Sequence, residues 1–441
     1  MQINHKVPFI SYVVMGAGCI TSGQIGRGLC FFSAELCFII YMVLTGWRSL
    51  AGLITLGTHQ QQMVYNGTTG LMEVIRGDNS MRMLLSGIAA LTVCVLFLRL
   101  YYASIQLQRS DIKLKENGKK LPSFKEDIVS LLNGNLHRTL LFIPFTGLTL
   151  FTVIPLVYMV LMAFTNYDVH HQPPGNLFTW VGLENFKTLL LSGSKIARTF
   201  WPIFSWTIIW AFCATFSCYF GGMALALLIN MKGIKFKKFW RSLFVVSIAV
   251  PSFVSLLIIR VMLQPSGAVN ILLQEAGFIT KALPFFTEPL WARVTVIVVN
   301  MWVGIPFSML ITTGLLYNIP AELYESARMD GAGALRQFIH ITMPYMFFST
   351  GPYLISNFIA NINNFNAVYF LTGGGPATLE YFKGAGKTDL LVTWLFKLTV
   401  DSKDYCYAAA IGIVIFTVSA LLSSIIYRRS AAYVNEGAFQ V

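Results

Sequence analysis

Apolar runs of about twenty residues govern what this chain can become. Crossing the ~30 Å hydrocarbon of a bilayer takes about 20 helical residues. Eight stretches are long enough: roughly 28–46, 83–103, 139–164, 204–229, 241–263, 292–316, 345–366 and 405–427. Only 12% of the 441 residues are charged while 55% are hydrophobic, too little charge to coat a soluble domain of this length. The sequence therefore predicts an all-α integral membrane protein of about eight transmembrane helices, with membrane lipids as its surroundings.

The net charge of +13 invites a nucleic-acid reading, which the placement of the cations argues against. Lys and Arg concentrate in short segments between apolar runs, as in Lys232, Lys235, Lys237, Lys238 and Arg241. That is the signature of loops retained in the cytoplasm. Counted by alternate loops, one side of the membrane carries 18 Lys and Arg and the other 11. The richer side is predicted to be cytoplasmic, and it holds both termini and the 315–344 loop. No nucleic acid is expected as a partner.

The chain divides into an N-terminal region, 1–104, with two spans, a basic cytoplasmic linker, 105–138, and a six-helix block, 139–430. A cytoplasmic tail, 431–441, follows. The linker (Arg109, Asp111, Lys113, Lys115, Glu116, Lys119, Lys120) is expected to be solvated. Near the N-terminus, Lys6, the apolar stretch Val7–Met15 and Cys19 faintly resemble a lipoprotein signal, but the apolar part is short and an interfacial segment is expected. The seven cysteines form no C-x-x-C pair and have no His at ligand spacing, so neither a disulfide framework nor a metal site is predicted.

Ion-coupled transporters and membrane enzymes keep ionisable groups inside the bilayer. Here Glu35 is the only carboxylate well inside a span, and no His lies within one. Arg99 lies at similar depth on the returning helix, and a structural Glu35–Arg99 pair is expected. Gly386-Lys387-Thr388 resembles the end of a phosphate-binding loop, but Tyr381 stands where that pattern needs Gly and no buried strand precedes it. Asn66-Gly67-Thr68 is a formal glycosylation sequon read as chance. No catalytic residue is assigned, and the driving force must come from another chain.

The 318–344 loop carries the most specific signal. Pro320 suits a first helical turn, Glu322 complements the helix dipole, and Gly331 can supply a left-handed terminus. Leu335, Phe338 and Ile339 form a second short apolar stripe, which Pro344 is expected to stop. This helix-turn-helix, with little of its own to pack against, reads as a docking element. Glu325-Ser326-Ala327, then Gly331 after three residues, then Ile341 and Pro344 after nine more, resembles the EAA motif of ABC-importer permeases. Val181-Gly182-Leu183-Glu184-Asn185-Phe186 and Thr372-Gly373-Gly374-Gly375-Pro376 resemble further segments of sugar permeases. Over roughly 25–430 the chain is similar to the larger membrane subunits of maltose/maltodextrin importers.

That resemblance implies a coupling helix in which Glu325, Ser326, Ala327, Asp330 and Gly331 dock on an ATP-binding subunit. It also implies a second homologous permease subunit, two ATP-binding subunits carrying ATP and Mg, and an oligosaccharide substrate. This chain itself takes no cofactor. The outer loop, about 165–202, lacks the large domain of Gram-negative relatives, which implies a single-membrane bacterium with a lipid-anchored extracellular sugar-binding protein.

A neutral, hydroxyl-rich substrate calls for amides, hydroxyls and aromatic faces. Asn300, Trp302, Gly304 and Phe307 surround Pro306, read as a helix break; Asn357, Asn361, Asn363 and Asn364 cluster on the seventh span and should face a wet interior. By resemblance the sugar-site positions are Ser252, Asn300, Gly304, Phe307, Ala360, Asn361 and Asn364. Phe307 stands where relatives can have Tyr and Ala360 where they can have Phe, which implies a smaller stacking surface. Pro251 and Pro352 are expected to interrupt helices beside the path.

Overall fold

The computed structural model describes residues 9–66, 70–118, 120–231 and 233–429. Lys6, Lys119, Lys232, the sequon's Gly67 and Thr68, and the 431–441 tail lie outside the described residues. The chain forms two compact units, Met1–Gly182 and Leu183–Val441.

In the first unit, helix α1 (Ile25–Thr55) leads through a hairpin of β1 (Gln62–Asn66) and β2 (Leu71–Ile75) into α2 (Ser80–Glu116). Asn79 caps α2 by accepting from the Arg82 amide. Phe38 of α1 stacks on Phe97 of α2, with centroids 3.8 Å apart. That contact decides the fate of the expected Glu35–Arg99 pair, which does not form. At about 100° per residue, Arg99 lies roughly 200° around α2 from Phe97 and points outward. Glu35 accepts instead from the backbone amide of Met15, 2.7 Å away, tying the N-terminal segment to α1.

The linker also departs from expectation. Residues to Glu116 continue α2, and Ile105, Gln108 and Asp111 are buried. Arg27 of α1 pairs with Asp111 and, more closely, with Asp127 of α3 (Phe124–Leu132). A charge-rich stretch therefore becomes helical and partly buried because a single cation gathers its acids. Ser123 caps α3 through a reciprocal bond with Glu126. Cys19, flanking this cluster, is buried, and burial pushes its thiol above the usual range. Helix α4 (Leu136–Met162) completes the unit's apolar spans.

In the second unit, α5 (Lys195–Asn230) is the most deeply packed helix. It lies against α8 (Pro289–Leu316), where a Cβ on Gly222 would strike the Met309 amide. Small residues at such a seam let two backbones approach in lipid. Between them, α6 (Lys237–Ala249) and α7 (Ser252–Met262) meet at Val250-Pro251 with an 89° bend. Pro251 thus breaks its span as expected. Pro306 and Pro352 do not: each lies inside an unbroken helix, α8 and α10 (Met343–Ile362) respectively.

Six helices among the described residues are long and apolar enough to cross a bilayer, and the bent α6–α7 pair makes seven. The remaining expected span, the seventh at 345–366, folds as α10 but is more polar, bearing Ser349, Thr350, Ser356, Asn357 and Asn361. It ends at Ile362, and Asn364 caps α11 (Phe365–Thr372). Two π turns, Thr149–Val153 and Phe338–Thr342, stand just before Pro155 and Pro344. A widened turn accommodates a ring that would otherwise clash with the carbonyl four residues back. Pro344 therefore does not stop the preceding helix. The unit closes with α12 (Leu391–Val400) and α13 (Tyr405–Arg429).

Candidate functional site

The coupling loop folds as its residues dictate. Helix α9 (Ala321–Met329) starts after Pro320, with Glu322 in its first turn. Asp330 ends it, Gly331 takes φ +77°, and the Ala332 amide returns to the Ala327 carbonyl. A short helix, Ala334–Gln337, then runs through the π turn into α10. Two bonds fix this element to its surroundings, Tyr324 to the Thr342 hydroxyl (2.9 Å) and Tyr345 to the Asn318 carbonyl (3.3 Å), and Gln337 to the Ala332 carbonyl (2.8 Å) braces it internally. Glu325, Ser326, Asp330 and Gly331 are exposed and Ala327 is half-buried. Met329 and Leu335 are 89% and 72% exposed, so a rigid element presents apolar and acidic side chains outward.

Three of the seven expected sugar-site residues, Asn300, Gly304 and Asn361, converge on one turn of α5, and Asn364 joins them through Asn361. Asn300 donates from Nδ2 to Cys218 Sγ at 3.5 Å, and a Cβ on Gly304 would meet the same sulfur. One turn away, Thr215 accepts from Asn361 Nδ2 at 3.0 Å, and Asn364 donates to Asn361 Oδ1 at 3.3 Å. Trp210 Nε1 holds the Asn361 carbonyl at 3.1 Å. Asn361 is buried by these partners, and Asn364 spends its own oxygen on the Ala367 amide. The two asparagines therefore hold the α10–α11 break together. Asn300 and Asn364 are half-buried.

Phe307 is half-exposed, its ring centroid 6.5 Å from that of Tyr353. Tyr353 OH lies 3.3 Å from Ser308 Oγ. Ala360 and Asn363 are exposed; Asn363 donates to the Ile359 carbonyl. Ser252 sits in the first turn of α7, away from the α5 cluster's bonds. Thr215, Cys218, Trp210 and Tyr353 were missed from sequence. Their signal was faint: small polar residues three apart on an apolar helix, and a phenol two residues beyond a glycine.

The glycine-rich segment is also organised from a distance. Asp389, fully buried, accepts from the Gly386 amide (2.6 Å), Thr393 (2.8 Å) and Lys397 (2.7 Å). Gly374 packs on that carboxylate with no room for a Cβ. Thr388 binds Thr372 and the Gly375 carbonyl, while Lys387 pairs with Glu380. Gly386-Lys387-Thr388 thus serves as the clasp of a loop knot. Trp206 Nε1 donates to the Thr388 carbonyl at 3.1 Å, one turn before Trp210 on α5. The two indoles hold the chain before α11 and the knot that follows it.

Among the described residues no group of three or more His, Cys, Asp or Glu side chains could hold a metal ion. The cluster's side chains are amides, hydroxyls and rings, groups of the kind that bind uncharged polar solutes.

The family of binding-protein-dependent transport system inner membrane components matches residues 218–435. The chain is 33% identical over 432 residues to the maltodextrin transport system permease protein MdxF of Bacillus subtilis (strain 168), covering 96% of this chain and 95% of that protein. It is equally 33% identical, over 426 residues, to the galactooligosaccharides transport system permease protein GanP of the same organism, covering 95% and 96%. In fold it is similar to a chain of the bacterial alginate ABC transporter solved in complex with alginate pentasaccharide-bound periplasmic protein. That match has a TM-score of 0.56 at 21% identity and covers 68% of this chain and 96% of that one.

Proposed function

Because the chain belongs to the binding-protein-dependent transport permeases, the membrane-spanning subunits of ABC importers, we propose that it forms half of a pathway for maltodextrin-type oligosaccharides. The observation that carries this reading is the pinned, outward-facing element 321–337, whose shape and residue spacing suit docking on a separate motor. A second homologous permease completes the pathway, and two ATP-binding subunits hold ATP and Mg. A lipid-anchored extracellular binding protein delivers the sugar. Both termini and the coupling loop are cytoplasmic, and no bond is made or broken on this chain.

Closure of the ATP-bound subunits draws on α9 through Glu325, Ser326, Ala327, Asp330 and Gly331. Because α9 is bonded through Tyr324 to Thr342, the last residue of the π turn that runs into α10, the pull reaches the helix bearing Tyr353, Ala360 and Asn361. The bundle opens outward to receive the sugar, and hydrolysis returns it inward. This is alternating access driven by differential affinity for two states. Ser252, Asn300, Gly304 and Phe307 line the other side of the path.

GanP supports a second reading, import of galacto-oligosaccharides. Uptake by the reconstituted four-subunit transporter with its binding protein separates the two. Linear maltodextrins should be accumulated and compete with one another, while galacto-oligosaccharides and raffinose-type sugars should not. Accumulation of only the latter sugars overturns the maltodextrin assignment.

A further inference from the structure

The β1–β2 hairpin has an apolar face that no part of the transport reading uses. Its register pairs Met63 with Val74 and Tyr65 with Met72, so these four side chains share one face. All four are exposed, from 49% at Val74 to 71% at Met63. The opposite face carries Gln62, Asn66 and Glu73 among Val64, Leu71 and Ile75, and Asn66 donates to Glu73 there at 2.8 Å. One face of this two-stranded ribbon is wholly apolar and the other mixed, and an exposed wholly apolar face marks a surface that something covers.

The tethers restrict what can reach it. Ile75 is followed by only four residues before α2 begins at Ser80, so the base of β2 lies within about 18 Å of a membrane-crossing helix. The base is fixed: the Asp78 amide bonds the His59 carbonyl, and the Asp78 carboxylate accepts from the Thr58 and His59 amides at 2.8 and 3.0 Å. On either side the exposed apolar surface of the spans runs up to the hairpin, through Trp47 and Ile54 on α1 and Met81 and Leu85 on α2. Arg76 and Arg82, both exposed, flank the base.

We infer that the hairpin is an interfacial anchor, its Met63, Tyr65, Met72 and Val74 face lying on the phospholipid headgroup–acyl boundary of the leaflet where α1 ends and α2 begins. Tyr suits that boundary, with its ring in the apolar zone and its hydroxyl in the wet one. The outer strand edges stay among hydrated headgroups, since open edges are not tolerated in hydrocarbon. Arg76 and Arg82 meet lipid phosphates.

The test places spin labels, through a membrane-impermeant thiol reagent, at Met63→Cys and Met72→Cys, and on the opposite face at Gln62→Cys and Glu73→Cys. The full transporter is studied in phosphatidylglycerol–phosphatidylcholine nanodiscs without binding protein, and labelling of the unsubstituted chain is subtracted. Labels on the apolar face should favour oxygen over a water-soluble nickel chelate several-fold more than those on the other face. Tyr65→Trp gives an independent reading: brominated acyl chains should quench its added fluorescence. Equal oxygen-to-nickel ratios on the two faces, or an unquenched Trp, overturn the inference. Protection that develops only when the binding protein is added also overturns it, and assigns the face to that partner.

Discussion

Glu325 illustrates how little a residue's own surroundings need to say about its role. Its carboxylate is exposed on α9, so Glu325→Lys should leave folding and membrane insertion within about 0.5 kcal/mol of the parent. ATPase-coupled uptake should nevertheless collapse, as measured in proteoliposomes containing all subunits. Uptake that survives the substitution sinks the coupling assignment. Asn361 is the opposite case, buried and bonded to Thr215, Trp210 and Asn364. Removing its amide in Asn361→Ala forfeits an interhelical bond worth about 1 kcal/mol, a few degrees of melting temperature at most in a chain this long. Thr215→Val, which keeps the shape but cannot accept the bond, should raise the sugar concentration for half-maximal uptake in the same direction. An unchanged value for both variants removes Asn361 from the path. Glu35, bonded to the Met15 amide, is structural, and Glu35→Gln should transport normally.

At the scale of elements, the loop knot after α11 ties that helix's exit to Trp206 of α5 and to Thr393 and Lys397 of α12. Gly374 stands at φ +84° with the Asp389 carboxylate where a Cβ would be. Gly374→Ala must displace that carboxylate, and Asp389→Ala leaves the Lys397 ammonium without its buried partner. Each should cost about 3 kcal/mol. Hydrogen exchange should register the loss first in 372–393, before α5 opens, and simultaneous opening of both would contradict a separate knot. At the hairpin base, the Thr58 and His59 amides hold the Asp78 carboxyl below its ordinary range. A lowered folded-state pKa means the contribution is present at neutral pH and is lost as the pH falls through that lowered value. Exchange of the Thr58 and His59 amides should accordingly quicken on acidification, and Asp78→Asn should abolish that pH dependence.

For the whole molecule, the decisive experiment is isolation. Reconstituted alone, the chain should move no sugar uphill, because in the proposed mechanism the work comes from separate ATP-binding subunits. Purified in mild detergent from its own cell, it should carry ATP-binding chains with it, and Glu325→Lys should weaken that association. Uphill transport by the lone chain would sink the motor-coupled reading.

Hydropathy alone placed the spans, because lipid imposes its length requirement locally, and chain-local rules also placed α9, its Pro320 start and its Gly331 stop. Only the tertiary structure decided what returned segments do to one another. Pro251 breaks its span while Pro306 and Pro352 do not; ring and backbone chemistry are the same at all three, so the surroundings set the difference. Arg99 missed Glu35 because Phe97 turned α2 toward Phe38, while Arg27 gathered two other acids, Asp111 and Asp127. The convergence of Asn300, Gly304 and Asn361 on Thr215 and Cys218 depends on helices far apart in sequence. A chain specifies such contacts through packing, which no periodicity within one helix records.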